Sequence, residues 1–406
     1  MKKTITLREY NFIFVGESDE EFNKTVKQTT FNQLENFVLA NENEYLKLTS
    51  KKGYGKVLQA QNFVGLIQTK DGTVIEILPK ITNYTEEKAK TILLKMLKTL
   101  KDSPFKTFNM ANLKTTKMPL LEIFISMFLD EMDNLIKKGI KSDYISKEEN
   151  LKFLKGKLKI NNQIKKNFIH KEQFFVEYDE FLSDRVENRI IKTTLNFLYK
   201  LSKLNKNQQR IREFLFVFDE IKLSHNIKND FSKIKSNRQM KDYEKVLLWS
   251  KIFLLKASFS PYKGNDIAFA LLFDMNKLFE SYVGSFIKKR YKNVILQDKG
   301  KYLVKEPQKF ALKPDIVIND GEIIMDTKWK ILSEEKRNDG ISQADMYQLY
   351  AYGTKYKNCK RLYLIYPKDE NVKSQIFKFK DDLILHIEFF DLEKDELSFI
   401  EEFLYL

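Results

Sequence analysis

The sequence contains very little cysteine or histidine. Cys359 is the single cysteine in 406 residues, so the chain alone can form neither a disulfide nor a cysteine-ligated zinc or iron–sulfur site. The three histidines, His170, His225 and His386, lie far apart and show no metal-binding spacing. Any divalent cation bound by this chain is therefore expected to have oxygen ligands.

Long apolar runs and phosphate-binding glycine motifs are also missing. No run approaches the roughly 18 apolar residues of a membrane span, and "MKKTITLREYNFIFVG" carries charges inside its apolar part, unlike a signal peptide. Neither G-x-x-x-x-G-K-[ST] nor G-x-G-x-x-G occurs, so the chain is not expected to bind a nucleotide through a P-loop. We expect a cytoplasmic protein without membrane contact.

Positive charge is abundant. Lys and Arg number 71 against 56 Asp and Glu, which gives a net charge of +15 and favours a polyanionic partner. A lysine-rich proteome explains this charge equally well. With 43% hydrophobic and 31% charged residues, the chain is expected to fold, and its length predicts two or three domains.

The patterns predict a mixed α/β protein of three regions. Residues 1–105 form an N-terminal α+β domain, with a strand over 4–15, a helix over 17–39 and a hairpin turning at Asp71-Gly72 and ending at Pro79. Residues 106–260 are expected to be mainly helical, with Ser183 as an N-cap. Within this region, a hydrogen-bonded network that joins domains is expected from four polar residues, Asp184, Glu187, Asn188 and Arg189.

Residues 261–406 are expected to form a further α/β domain. "DIAFALLFDMNKLFESYVGSFIKKRY" predicts one long amphipathic helix, three strand-like runs follow, and a helix capped by Ser342 precedes the strand "RLYLIYP". The tail predicts another strand, "LILHIEFF", and a short acidic helix. This order differs from a doubly wound nucleotide-binding fold.

Two aspartates and a lysine stand out in "KPDIVINDGEIIMDTKWK". Pairing through the turn at residues 319–321 sets Asp315 beside Asp326, and alternation places Lys328 on the face of Asp326. Two carboxylates there can hold Mg²⁺ for phosphodiester hydrolysis, with the backbone carbonyl of Thr327 as a further ligand and Lys328 orienting the attacking water. The alternative is a set of structural salt bridges at the ends of two strands.

Three more residues are candidates for supporting roles. Glu280, on the preceding helix, can supply a third metal ligand or can be a solvent-facing acid. Gln348 and Tyr352 are four residues apart and share one helix face, where they can brace Lys328 or contact DNA. Packing of Tyr352 in the core with Gln348 beside it is the alternative.

Taken in order, Pro314-Asp315, Asp326-x-Lys328 and Gln348-x-x-x-Tyr352 resemble the PD-(D/E)xK nuclease superfamily, in its RecB-like branch. The resemblance covers about residues 266–367. It implies a restriction-endonuclease-like domain in which Glu280, Asp315 and Asp326 bind Mg²⁺ and Lys328 assists hydrolysis.

A wider match, over about residues 62–367, is to McrC, the nuclease subunit of McrBC restriction systems. The segments that carry it include "NFVGLIQTKDGTVIEILPKI", "LKGKLKI", "YDEFLSDRVENRIIKTTLNFL" and "DMNKLFESYV". The resemblance implies a subunit that cuts double-stranded DNA containing methylcytosine. It implies as partner an McrB-like AAA+ GTPase hexamer, which binds the GTP, reads the modified base and is stimulated by the N-terminal part of McrC.

Two other functions stay open at this point. One is a non-catalytic activator of an AAA+ ring with a vestigial nuclease site. The other is a stand-alone RecB-like DNA nuclease, although a single cysteine excludes the version that carries a four-cysteine iron–sulfur cluster.

Overall fold

The two ends of the chain fold together in the computed structural model. It describes residues 4–20, 23–42, 44–81, 85–101, 103–107, 117–234, 240–255, 267–368, 372–380 and 382–398. Met1–Leu120 and Ser258–Leu406 form one compact unit, here called unit 1, and Leu121–Ala257 form unit 2. Residues 1–105 and 261–406, predicted as separate domains, thus belong to one unit. Across the described ranges, no helix has both the length and the apolar character needed to cross a membrane.

The N-terminal part of unit 1 is α+β, as predicted. Its elements are β1 (Thr4–Arg8), β2 (Phe12–Val15), β3 (Lys24–Val26), α1 (Gln28–Leu39), β4 (Leu46–Lys51), β5 (Gly55–Ala60), β6 (Phe63–Thr69), β7 (Val74–Leu78) and α2 (Glu86–Leu97). The expected hairpin is β6–β7, with Gly72 at φ 88° in its turn, and β7 ends just before Pro79.

Two predictions for this part were wrong. The strand expected over 4–15 is two strands, because the chain turns at Tyr10, which has φ 67° and donates its N–H to the carbonyl of Ala60. The helix expected over 17–39 begins only at Gln28, since the preceding β3 pairs in parallel with β2. Asp19 accepts hydrogen bonds from both the N–H and the hydroxyl of Thr25 and so holds this short strand in place.

Unit 2 contains more strand than predicted. Its elements are α3 (Leu120–Lys137, whose first residue belongs to unit 1), β8 (Asp143–Leu151), β9 (Lys157–Leu158), α4 (Ile160–Lys166), β10 (Phe174–Leu182), α5 (Val186–Leu201), α6 (Asn205–Val217), α7 (Ile227–Lys233) and α8 (Glu244–Leu254). The strands form a three-stranded sheet in the order β8-β10-β9. The cross-strand ion pair of Lys147 with Glu180 supports this sheet, as does the pair of Glu177 in β10 with Lys159, the residue after β9.

The polar network predicted near the start of α5 exists, but it lies within unit 2. Arg189 forms a bidentate salt bridge with Asp184, in which both nitrogen–oxygen distances are 2.7 Å. Asn188 accepts a hydrogen bond from the Tyr243 hydroxyl. Ser183 does not cap the helix: the N-cap position is Arg185, and the Ser183 carbonyl accepts a bond from Asn188. The network therefore joins elements of one unit.

The long helix predicted from residue 266 is a strand followed by a helix. The C-terminal part of unit 1 begins with β11 (Ile267–Asp274) and α9 (Met275–Arg290). The apolar run of β11 pairs antiparallel with β6, in a sheet of order β1-β7-β6-β11. Asp274 then caps α9 by accepting the N–H of Asn276 at 2.9 Å. An unbroken apolar run fits a buried strand as well as a helix, which explains the error.

The remaining elements build the sheet that carries the candidate site. They are β12 (Val294–Leu296), β13 (Lys301–Val304), β14 (Lys309–Leu312), β15 (Ile316–Ile318), β16 (Ile323–Thr327), α10 (Gln343–Lys355), β17 (Arg361–Pro367), β18 (Gln375–Lys380), β19 (Leu383–Asp391) and β20 (Glu396–Leu397). The sheet runs β12-β15-β16-β17-β19-β18, β20 pairs with β19, and β13–β14 form a separate hairpin. Ser342 is the N-cap of α10 by position, without a side-chain cap bond. In the tail, β20 stands where an acidic helix was expected, and residues 399–406 lie outside the described residues.

A buried ion pair gives a test of unit 1. Lys90 Nζ lies 2.7 Å from Glu76 Oε2, with the side chains 8% and 0% exposed, and the Glu76 carboxylate also accepts the N–H of Leu120. We predict that Lys90→Met lowers the free energy of unfolding of unit 1 by about 3–5 kcal/mol, because the Glu76 charge is left buried without its cation. The exposed pair of Lys56 with Glu35, at 3.0 Å, supplies the control Lys56→Met, expected to cost under about 1 kcal/mol.

The change in the free energy of unfolding is measured by urea unfolding, followed by ¹⁹F NMR on fluorotryptophan-labelled protein. The chain has two tryptophans, Trp329 in unit 1 and Trp249 in unit 2, so each unit has its own resonance. Equal midpoints for the Lys90→Met and Lys56→Met proteins at the Trp329 resonance would contradict the prediction.

Candidate functional site

The hairpin β15–β16 brings Asp315 and Asp326 together. Ile316 pairs with Met325, and the same register continued by one residue sets Asp315, just before β15, opposite Asp326 in β16. The connecting residues Asn319–Gly321 form a 3-10 turn, in which Asp320 has φ 53°. The pairing therefore follows the register expected from the sequence.

Thr327 holds Asp315 in position. Its backbone N–H and its hydroxyl both donate to Asp315 Oδ2, each at 2.7 Å. Its side chain thus bonds Asp315, whereas the sequence pattern pointed it away and suggested only its carbonyl as a functional group. These two hydrogen bonds fix the orientation of the Asp315 carboxylate.

Lys328 joins the aspartates to helix α10. Its Nζ lies 2.7 Å from Asp326 Oδ2 and 3.8 Å from Asp345, and it donates to Gln348 Oε1 at 3.1 Å. Gln348 in turn donates from Nε2 to the Tyr352 hydroxyl at 2.7 Å. A continuous polar chain therefore leads from Asp326 through Lys328 and Gln348 to the buried Tyr352.

Glu280 lies on α9 and faces the same pair of aspartates. Its Oε1 accepts a hydrogen bond from Gln297 Nε2 at 2.7 Å. Burial raises the pKa of Glu280, and the negative charge of Asp326 raises it further. The negative charges of Glu280, Asp315 and Asp326 thus interact with one another. The hydrogen bond from Gln297 holds the Glu280 side chain in place.

Burial and mutual repulsion work against ionisation of the aspartates. Burial raises the pKa of Asp315 to about 6, with a further contribution from the charge of Glu280. Burial likewise raises the pKa of Asp326 to about 7, with a further contribution from Asp315. For Lys328, burial lowers the pKa, but the charge and hydrogen bond of Asp326 together with the charges of Asp345 and Asp315 outweigh burial, and the net shift is upward. One lysine faces several acids, so the ionised site has excess negative charge.

The donor set fits a hard divalent cation. Asp326 Oδ2 is buried and, apart from its contact with Lys328, accepts no hydrogen bond of good geometry from the described residues. Among those residues, no three His, Cys, Asp or Glu side chains converge on a point suited to a metal. Asp315 and Asp326 are therefore the two carboxylates suited to bind a cation. A cation that binds through one or two protein carboxylates and retains several water ligands, such as Mg²⁺, matches this pair.

The sequence analysis did not identify three groups that contact the site residues. The Thr327 hydroxyl bonds Asp315 and Gln297 bonds Glu280, and no sequence spacing indicates either contact. Asp345 had a signal, because Asp345, Gln348 and Tyr352 recur at helical spacing along one face of α10.

Comparisons with known proteins place the chain in a family. Residues 58–367 match the family described as McrBC 5-methylcytosine restriction system component. A chain in the structure titled "Refined half-complex from tetradecameric assembly of Thermococcus gammatolerans McrB AAA+ hexamers with bound McrC" is similar at 20% identity and a TM-score of 0.67, over 96% of this chain and 95% of that one.

A second solved structure shows the same relationship more weakly. It is titled "Cryo-EM structure of the Thermococcus gammatolerans McrBC complex", and the match has 22% identity and a TM-score of 0.51, over 71% of this chain and 89% of that one. Among curated proteins, no match was found. At these identities the structural likeness shows the fold, and it agrees with the family match over 58–367. The chain belongs to the McrBC 5-methylcytosine restriction system component family.

Proposed function

We propose that this chain is the Mg²⁺-dependent endonuclease subunit of a McrBC-like restriction system and cuts double-stranded DNA containing methylcytosine. The observation that carries the proposal is the buried pair Asp315 and Asp326 with Lys328 at 2.7 Å from Asp326. Two adjacent carboxylates whose pKa values are raised by burial are costly as structural features, and a cation at this place offsets that cost.

Each residue has a role that its contacts support. Asp315 and Asp326 would hold the metal, Thr327 fixes the orientation of Asp315, and the Thr327 carbonyl is a further candidate ligand. Glu280, which does not converge with the two aspartates on one point, adds negative charge beside them. Mg²⁺ bound there would neutralise charge on the phosphate and lower the pKa of a water molecule. Lys328, charged and held by Gln348, positions the attacking water and stabilises the negative charge that develops on the phosphate. Tyr352 braces Gln348.

We further propose an McrB-like AAA+ GTPase hexamer as the partner, which binds the GTP and whose hydrolysis this chain stimulates. The support is the family match and the likeness to a chain from an assembly of McrB hexamers with bound McrC. Selection of the modified base is assigned to that partner.

Substitution of one site aspartate tests the nuclease proposal. We predict that Asp326→Asn lowers the rate of plasmid cleavage by at least about a hundredfold, because one metal-holding carboxylate is lost. Asp320→Asn is the matched control: it makes the same change in the turn of the same hairpin, at a φ of 53° that asparagine tolerates. Cleavage of methylated and unmethylated plasmid is measured with Mg²⁺, with and without the GTPase partner and GTP.

The other arms of this assay separate the competing functions. Cleavage that requires methylation, partner and GTP supports the proposal. Methylation-independent cleavage by the chain alone supports a stand-alone nuclease instead. Stimulated GTP hydrolysis with no cleavage by either protein means a regulator with a vestigial site.

The raised aspartate pKa values predict how Mg²⁺ binding depends on pH. Protons compete with the cation at Asp315 and Asp326, whose pKa values are about 6 and about 7. Below these values the carboxylates are protonated, so the Mg²⁺ affinity falls as pH drops through this range, by about tenfold per pH unit for each proton displaced. The thermal stabilisation by Mg²⁺ should be large at pH 8 and small at pH 5.5.

The same carboxylates give the apo protein an opposite pH trend. Their folded pKa values exceed the unfolded value of 3.8, so without metal the folded state loses stability as pH rises from about 4 to 7. In EDTA, Asp326→Asn is therefore expected to unfold at a higher temperature than wild type at pH 8, and Mg²⁺ should leave this variant unchanged. An equal Mg²⁺ shift in both proteins would place the ion elsewhere.

A further inference from the structure

A basic cleft adjoins the candidate site on one side. It has a volume of about 490 Å³, and Lys328 and Asp345 are among the residues that line it. Three more lysines line it, Lys80, Lys330 and Lys336, all of them exposed. Its positive charges outnumber the negative charge of Asp345, which is itself 3.8 Å from Lys328. The cleft is therefore suited to an anion that contacts Lys328 and the other lysines of its lining.

Both ends of the chain build the walls of this cleft. Tyr10 and Lys80 come from the N-terminal part of unit 1, whereas Trp329, Lys330 and Lys336 follow the strand that carries Asp326. The ammonium of Lys80 lies 5.5 Å from the centre of the Tyr10 ring, which is 42% exposed. An aromatic face beside lysines is a common feature of surfaces that bind nucleic-acid strands.

A buried carboxylate holds the two walls together. Glu9 is 0% exposed and accepts bonds from Trp329 Nε1, at 2.9 and 3.2 Å, and from the N–H of Lys80 at 2.9 Å. Lys330 is fixed from the other side, since its ammonium donates to the carbonyl of Gly340. The positions of Lys80 and Lys330 relative to Lys328 are thus set by packing, and the cleft is a built feature of the fold.

We propose that this cleft binds the phosphate backbone of the DNA strand next to the bond that is cut, with Lys80 and Lys336 as its phosphate-contacting residues. The inference rests on the proposed nuclease function, because it takes Lys328 as the lining residue that faces the scissile phosphate. It adds that residues of the N-terminal part form half of the DNA-binding surface. Contacts of this kind position DNA without reading its sequence.

Equilibrium binding of labelled duplex DNA tests the cleft without any cleavage step. The full-length chain is titrated with the duplex at several salt concentrations, with Ca²⁺ in place of Mg²⁺, for wild type, Lys80→Ala, Lys336→Ala and the double variant. Each lysine that contacts a phosphate should contribute about 0.9 to the slope of log K against log salt, so the double variant should lose about 2 from the slope. Its affinity should fall equally for methylated, unmethylated and unrelated sequences.

Lys378→Ala is the matched control. Lys378 is an exposed lysine on β18, at the far edge of the same sheet, with β17 and β19 between it and β16. This variant should keep the wild-type slope. A double variant with the slope and affinity of the Lys378→Ala protein would overturn the proposal, as would a wild-type chain that binds no duplex.

The result is independent of the cleavage assay. A lost salt slope together with an inactive wild-type complex supports the DNA cleft and rejects the nuclease. An unchanged slope together with cleavage that depends on Asp326 supports the nuclease and rejects the cleft. An acidic protein segment as the true occupant would leave duplex binding unchanged in the double variant, which rejects the DNA assignment.

Discussion

The close approach of Asp315 and Asp326 is the constraint on which this site depends. Like charges that are buried beside each other repel, and burial alone already disfavours their ionised forms. The structure contains specific compensation: two hydrogen bonds from Thr327 to Asp315 and the ammonium of Lys328 beside Asp326. Strand pairing in β15–β16 holds the aspartates in place, so they stay close despite their repulsion.

The site is supported from elements that are distant in the sequence. Helix α10 supplies Gln348 and Tyr352, which continue the polar chain from Lys328, and α9 supplies Glu280. The parallel pairing of β16 with β17 places the end of β16 next to a buried strand, where the carbonyl of Ile365 accepts the N–H of Lys328. Contacts with α10 and β17 thus limit the movement of the lysine.

Unit 1 contains both the N-terminal and the C-terminal part of the chain, so the candidate site and the N-terminal part lie in one compact unit. Strand β11 completes a sheet whose other strands come from residues 4–78, and Glu9 reaches Trp329, the residue after Lys328. The N-terminal and C-terminal parts of unit 1 therefore share a sheet and hydrogen bonds. Under the proposed function, a partner that engages the N-terminal part acts on residues that are physically joined to the nuclease site.

Local patterns in the sequence were enough to identify the hairpin and its residues. A tight turn and period-two alternation determine the register by themselves, so Asp315, Asp326 and Lys328 were predicted to meet, and they do. The spacing of Gln348 and Tyr352 gave their shared helix face for the same local reason. The family resemblance also came from the sequence, and the match over residues 58–367 confirms it.

Long-range pairing was beyond the reach of such patterns. The run "IAFALLF" is compatible with a buried helix or a buried strand. It forms a strand because it pairs antiparallel with β6. In the same way, β8 and β10 lie in a region that was predicted to be mainly helical, and their antiparallel pairing with each other makes them strands. The sequence by itself determined which residues meet within a hairpin or along a helix, because those contacts are set by local geometry. Only the tertiary structure decided that Glu9 holds Trp329, that Thr327 holds Asp315 by its hydroxyl and that both ends of the chain form one unit, because such contacts depend on how separate elements pack.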